Sequence, residues 1–277
     1  MLESERPYVR IAVAMVSAIV LGAGGLLFGA VLMFLALLVL IAVVGMELTA
    51  SMQLVVSLVF VQGVGCIGVA AAYVKLRPRI APAIRDLFDI SGTPPRFRIG
   101  LSVPGLRDVA VVVVGYGLAF GSMFVGAALA SLVQVDTGTN QAAAIAMENP
   151  EIILLLVPAS ILLIGPGEEA LFRGVVQGRM REVFGPVPGV LIPSAIFAGL
   201  HYFALTGGSL TGNLVVLVIL LGPSLVFGAS YEYTDNIVVP SLIHGFYNAT
   251  LFTLLYVVIE FGDELPDQAA ATLSFVV

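Results

Sequence analysis

The chain has 277 residues, 59% of them hydrophobic and only 11% Asp, Glu, Lys or Arg, with a formal net charge of −6. A soluble globular domain carries about 25% charged residues, so composition excludes an ordinary soluble fold. The stretches Ile11–Gly45, Ser51–Val74, Val109–Val135 and Ile152–Gly167 contain no charge at all. About 20 apolar residues cross a hydrocarbon core of about 30 Å, which predicts an all-α, polytopic membrane bundle forming a single domain over 1–277. A transmembrane barrel would alternate apolar and polar residues over ten-residue segments, and that pattern is absent.

In chain order, helices are expected near 10–45, 52–74, 107–133, 150–177, 187–205, 212–231 and 236–260, giving seven spans. The first is about 52 Å long at 1.5 Å per residue. Either it tilts and projects, or Gly22, Gly24 and Gly25 break it into a hairpin and raise the count to eight. It is too long, after too short a basic region, for a simple cleaved signal peptide. Cys66 is the one cysteine, so no intrachain disulfide is expected and redox compartment stays open.

Charge arbitrates between seven and eight spans. Arg6 and Arg10 precede the first span. Lys75, Arg77, Arg79, Arg85, Arg96, Arg98 and Arg107 crowd the linker 75–107, and Arg173, Arg179 and Arg181 close the fourth span. A single crossing by 10–45 puts all twelve Lys and Arg residues in the cytoplasmic half, as the positive-inside rule expects. Glu47, Asp136, Glu148, Glu151, Glu260, Asp263, Glu264 and Asp267 then face the other side. Seven spans with a cytoplasmic N-terminus are therefore expected, in the plasma membrane of a prokaryote. Within the linker, Ile80, Ile84, Leu87 and Phe88 recur at helical spacing, suiting either a short helix at the headgroup level or a plain connection.

The chemistry-bearing residues sit inside apolar segments. Glu168, Glu169 and Arg173 follow the run IILLLVPASILLI, His201 lies in AIFAGLHYF and His244 in SLIHGFYNAT. Ionised groups at membrane depth cost about 2.5–3.5 kcal/mol each even on a forgiving scale, so each needs a reason. Glu169 and Arg173 are i,i+4 in the favourable order, as are His244 and Asn248 in spacing, while Glu168 points about 100° away from Glu169. An ion pair with a spare carboxyl, and interhelical hydrogen bonds from the histidines, would account for each feature structurally. Gly165-Pro166-Gly167 can free backbone groups and bend the helix. Gln53, Gln62, Tyr116 and Asn140 are expected in packing or at loop ends, and Tyr202, Tyr231, Tyr233 and Tyr247 at interfaces or in the core.

Glu168-Glu169-Ala170-Leu171-Phe172-Arg173 (EExxxR), Phe197-Ala198-Gly199-Leu200-His201 (FxxxH) and His244-Gly245-Phe246-Tyr247-Asn248 (HxxxN) occur in that order. This set resembles the CPBP family of CAAX proteases and bacteriocin-processing enzymes, also called the ABI family, which includes the type II CAAX prenyl endopeptidase. The resemblance covers a core of about 150–260. It implies an intramembrane endopeptidase in which Glu168 and His201 activate water, His244 and Asn248 stabilise the oxyanion, and Glu169 and Arg173 order the site, with direct assistance by Glu169 as a further role. No cofactor is favoured. Zinc on Glu168, His201 and His244 is the alternative, since His₂Glu with an open position is a known catalytic set, although HExxH is absent. The expected partners are the lipid bilayer and a peptide or protein substrate at the membrane, prenylated if the CAAX name carries over; no nucleic acid is expected. A proton-coupled transporter would show internal repeats, which are lacking. A non-catalytic immunity or scaffold member of the same fold is the remaining alternative.

Overall fold

The structure is a computed structural model that describes residues 7–91, 96–133 and 135–264. Arg6, Asp267 and the side chain of Asp263, all assigned to a membrane side above, lie outside the described residues. The described chain is a polytopic helical bundle with seven helices long and apolar enough to cross a membrane. They are α1 (Pro7–Ala42), α2 (Ala50–Leu87), α3 (Leu106–Ser131), α5 (Pro150–Arg181), α6 (Pro186–Ala204), α7 (Leu210–Thr234) and α8 (Val238–Phe261). A short helix, α4 (Gln141–Glu148), precedes α5.

The hairpin alternative for the first span does not occur, because α1 is one unbroken helix of 36 residues. Its glycines serve close packing instead. Ala14, Ala18, Gly22, Gly25 and Gly29 form its buried face. A Cβ on Gly29 would lie 2.6 Å from the Phe60 carbonyl oxygen, and one on Gly65 would lie 2.7 Å from that of Gly25. With no hydrophobic drive between helices in lipid, small residues that admit close backbone contact supply the association.

The amphipathic stretch around Ile80 is helical, but as a continuation of α2 to Leu87 through Pro78 and Pro82 rather than as a separate helix. Two missing N–H donors weaken that helix. It is held by Arg77, which pairs with Glu182 beyond α5 and with Tyr73 one turn back. The sequence reading assigned no helix to 141–148. Asn140 caps α4 by accepting from the Ala142 N–H at 2.9 Å, and Ala143 and Ala146 bury against Ile152, Leu156 and Leu255.

Three apolar clusters hold the bundle. The first joins α1, α2, α5 and α6 through Ala18, Cys66, Phe172, Val176 and Phe197. The second joins α3, α7 and α8 through Met123, Phe227, Ile243 and Tyr247. A two-residue antiparallel pair, Thr139 with Thr206 and Asn140 with Leu205, ties the chain leaving α6 to the segment entering α4.

Candidate functional site

The site begins with the backbone of α5. Its middle is wound irregularly, with i→i+5 turns over Ser160–Ile164 and Ala170–Gln177 flanking the ordinary turn Gly165–Glu169. Such widened turns are rare and concentrate at functional sites. Gly165 and Gly167 allow this turn to be wedged between two helices. A Cβ on Gly165 would fall 2.7 Å from the Ser241 carbonyl oxygen of α8, and one on Gly167 would fall 3.1 Å from that of Gln62 in α2. The Gly-Pro-Gly element thus brings α5 into contact with both neighbours at the level of the two glutamates.

Glu169 and Arg173 are fully buried and joined by a 2.8 Å bond from Arg173 Nε to Glu169 Oε2. The guanidinium is otherwise satisfied by Ser194 Oγ at 3.4 Å and Ser224 Oγ at 3.1 Å. Those serines also bond each other's carbonyls, locking α6 to α7. Phe197 and Phe227 lie 5.0 and 5.9 Å from the guanidinium carbon. A buried charge is tolerated only when paired and hydrogen-bonded, and Arg173 meets both conditions.

The second oxygen of Glu169 faces His244. Its Oε1 lies 2.9 Å from His244 Nδ1, and a carboxylate held by arginine can only accept, so Nδ1 carries a proton. The other ring nitrogen, Nε2, is 3.1 Å from the Asn248 amide nitrogen and 3.8 Å from Glu168 Oε2. The latter gap is too long for a direct hydrogen bond. Phe227 stacks on the imidazole at 4.7 Å with 14° between planes. When His244 is doubly protonated, two carboxylates face one guanidinium and one imidazolium, and the cluster carries no net charge.

Glu168 turns to the opposite neighbour. Its Oε1 accepts a 2.8 Å hydrogen bond from Gln62 Nε2, and its side chain keeps 13% exposure where that of Glu169 has none. His201 ends the helical turns of α6, with Nδ1 2.9 Å from the Phe197 carbonyl. A carbonyl only accepts, so Nδ1 is protonated and Nε2 holds the lone pair. The Phe197 ring stands between the histidines, 4.5 Å from His201 and 5.8 Å from His244.

The structure therefore joins Glu168, Glu169, Arg173, His244 and Asn248 in one connected cluster, with His201 linked through Phe197. It differs from the expected pairing in one respect: Glu169, and not Glu168, makes the direct hydrogen bond to His244. Among the described residues no three His, Cys, Asp or Glu side chains gather as a set able to hold a metal ion. Glu168, His201 and His244 as placed therefore do not fit a zinc site.

Residues 150–250, which contain every one of these motif residues, match the family model for the type II CAAX prenyl endopeptidase Rce1-like proteins. This segment is similar to the Rce1-like family. At family level the chain is thus similar to CAAX-type intramembrane proteases. A curated relative, the Bacillus subtilis (strain 168) protein YpbD, itself described as uncharacterized, is 29% identical over 143 residues. That alignment covers 50% of this chain and 66% of the relative, just under two thirds of its length. No solved structure matches the chain.

Two features of the site escape sequence reasoning. Within the matched segment, Ser194 and Ser224 are ordinary helical serines until Arg173 is placed between them. Outside it, Gln62 contributes from α2. An amide in an otherwise apolar segment is its sequence signal, and only the packing of α2 on Gly167 gives that amide a partner.

Proposed function

We propose that the chain is an intramembrane endopeptidase that hydrolyses a peptide bond of a membrane-associated peptide or protein with a water activated by Glu168 and His201, without a metal. The observation that carries this reading is the division of labour between adjacent glutamates. Glu169 is consumed by Arg173 and His244, whereas Glu168 is held at one oxygen and presents the other toward His244 Nε2.

Amide hydrolysis needs a base for water, donors for the tetrahedral oxyanion and an acid for the leaving amine. Glu168 Oε2 takes one proton of the water, and His201 Nε2 accepts from the other and orients it. The hydroxide oxygen adds to the scissile carbonyl carbon, and the carbonyl electron pair moves onto its oxygen. His244 Nε2–H and the Asn248 amide donate to that oxyanion. In this state the single N–H of Nε2 serves the oxyanion, and the Asn248 amide swings its Nδ2 from Nε2 onto the same oxygen. Collapse breaks the C–N bond, and Glu168 returns its proton to the departing amine. Glu169 and Arg173 hold His244 in place and balance its charge.

The test is cleavage by the purified chain reconstituted in vesicles, offered a prenylated C-terminal peptide and a library of unmodified peptides. Wild type is compared with Glu168→Ala, His201→Ala and His244→Ala. The proposal expects cleavage by wild type alone. Cleavage persisting in all three variants would overturn the site, and proton-coupled uptake without cleavage would favour a transporter. Preference for the prenylated peptide would extend the CAAX substrate class to this chain.

A further inference from the structure

A second cluster of charged side chains lies away from the two glutamates, where the start of α1 meets the ends of α2 and α5. Arg10, Arg77, Arg85, Arg179 and Glu182 line a cavity of ≈ 90 Å³ there, about three times the volume share of a water molecule. The charges are unevenly matched. One carboxylate, Glu182, serves both Arg77 and Arg179, through one oxygen each. Arg179 also donates from Nε to Ser17 Oγ at 3.0 Å, which ties α1 into the cluster.

Arg77 is 5% exposed, with its guanidinium carbon 4.8 Å from the Phe97 ring centroid. Its terminal nitrogens reach Tyr73 and Glu182, but its buried Nε has no hydrogen-bond partner among the described residues. An unmade bond at a buried charged donor is costly, and it leaves the Arg77 guanidinium short of acceptors beside the cavity. Arg77, Arg179 and Arg10 around the one carboxylate of Glu182 set the sign of the ligand. The remaining wall sets its kind, because Val13, Ile80 and Ile84 place an apolar surface directly beside the arginines. A ligand matching both parts is anionic at one end and hydrocarbon at the other.

We propose that this cavity binds the phosphate of an anionic phospholipid headgroup, with its acyl region against Ile80 and Ile84. Basic pockets between membrane helices recognise anionic headgroups by charge and hydrogen bonding together. Arginine suits the task because its planar fork of donors matches phosphate oxygens. Occupancy would also pin α1 to α2 and α5, the helices that meet at Gly25, Gly65 and Leu171 above it.

The test uses the full chain, purified and stripped of lipid. It is titrated separately with short-chain phosphatidylglycerol, short-chain phosphatidylcholine and inorganic phosphate, reading thermal unfolding and retained lipid by native mass spectrometry. Phosphatidylglycerol should bind saturably at one per chain and raise the unfolding temperature, while phosphatidylcholine does neither. Arg10→Gln with Arg85→Gln should weaken that binding about tenfold or more. Arg79→Gln with Arg96→Gln, which removes as much charge from exposed positions outside the cavity, should leave it unchanged. Arg10→Gln alone, on the first turns of α1, is the second variant should the pair fail to fold. Equal binding of the two lipids, or equal weakening by the two pairs of substitutions, overturns the site. Inorganic phosphate competing at the same concentration as the lipid would keep an anion site and overturn its assignment to a lipid.

Discussion

Gln62 and Glu168, 106 residues apart in the chain, meet through a 2.8 Å hydrogen bond from the amide nitrogen to Oε1. The bond fixes which carboxylate oxygen is left for chemistry, and it comes from a helix outside the matched family segment. A hydrogen bond to a charged group is worth about 1.5–3 kcal/mol. Gln62→Leu should therefore lower kcat of peptide cleavage about 10- to 100-fold, with KM little changed because the amide does not touch substrate. Steady-state kinetics in reconstituted vesicles reads both constants, and an unaltered kcat would remove Gln62 from the site.

The adjacent glutamates should separate in a stability assay. Glu168→Gln keeps a polar group against Gln62 and should leave the unfolding temperature near that of wild type while abolishing cleavage. Glu169→Leu strands the buried Arg173 and should cost about 3–5 kcal/mol, the usual result of removing one partner of a buried pair. Replacing both, Glu169→Leu with Arg173→Met, should recover part of that loss. Thermal unfolding in detergent measures all three, and equal losses from the two glutamates would contradict the assigned division.

Glycine substitutions along α1 should sort by what a methyl group meets. Nothing lies within 4 Å of a Cβ on Gly24, so Gly24→Ala should be silent. At Gly29 the same methyl meets the Phe60 carbonyl oxygen at 2.6 Å, and Gly29→Ala should cost about 1–3 kcal/mol, as overpacking does. A silent Gly29→Ala would mean that α1 and α2 do not approach as closely as described.

Topology has a direct reporter, because the native Cys66 is buried. Asp136→Cys and Ile90→Cys, introduced singly, should label from opposite sides of a sealed vesicle with a membrane-impermeant maleimide. Labelling of both from the same side would contradict seven spans.

The metal-free mechanism expects purified, active protein to contain no stoichiometric zinc by elemental analysis and to keep its activity after chelation. Zinc at one per chain, with activity lost on its removal and restored on its return, would replace that mechanism.

The all-α membrane class and the residues with chemical potential are legible in the sequence, because these depend on local quantities. Span length follows from apolar runs without charge. The Glu169–Arg173 contact follows from i,i+4 geometry within one helix, as does the approach of His244 and Asn248. Tertiary structure alone decided the contacts between helices. The glycines at 22, 25 and 29 are compatible with either a hairpin or a packed face, and the proximity of α2 selects the face. Pro78 and Pro82 suggest a break, and the pairing of Arg77 with Glu182 across 105 residues holds the helix through them. The pairing of His244 with Glu169 and the arrival of Gln62 at Glu168 depend on how closely α5 sits between α2 and α8. That distance is set by Gly165 and Gly167 against backbones far away in sequence, and helical periodicity carries no information about it.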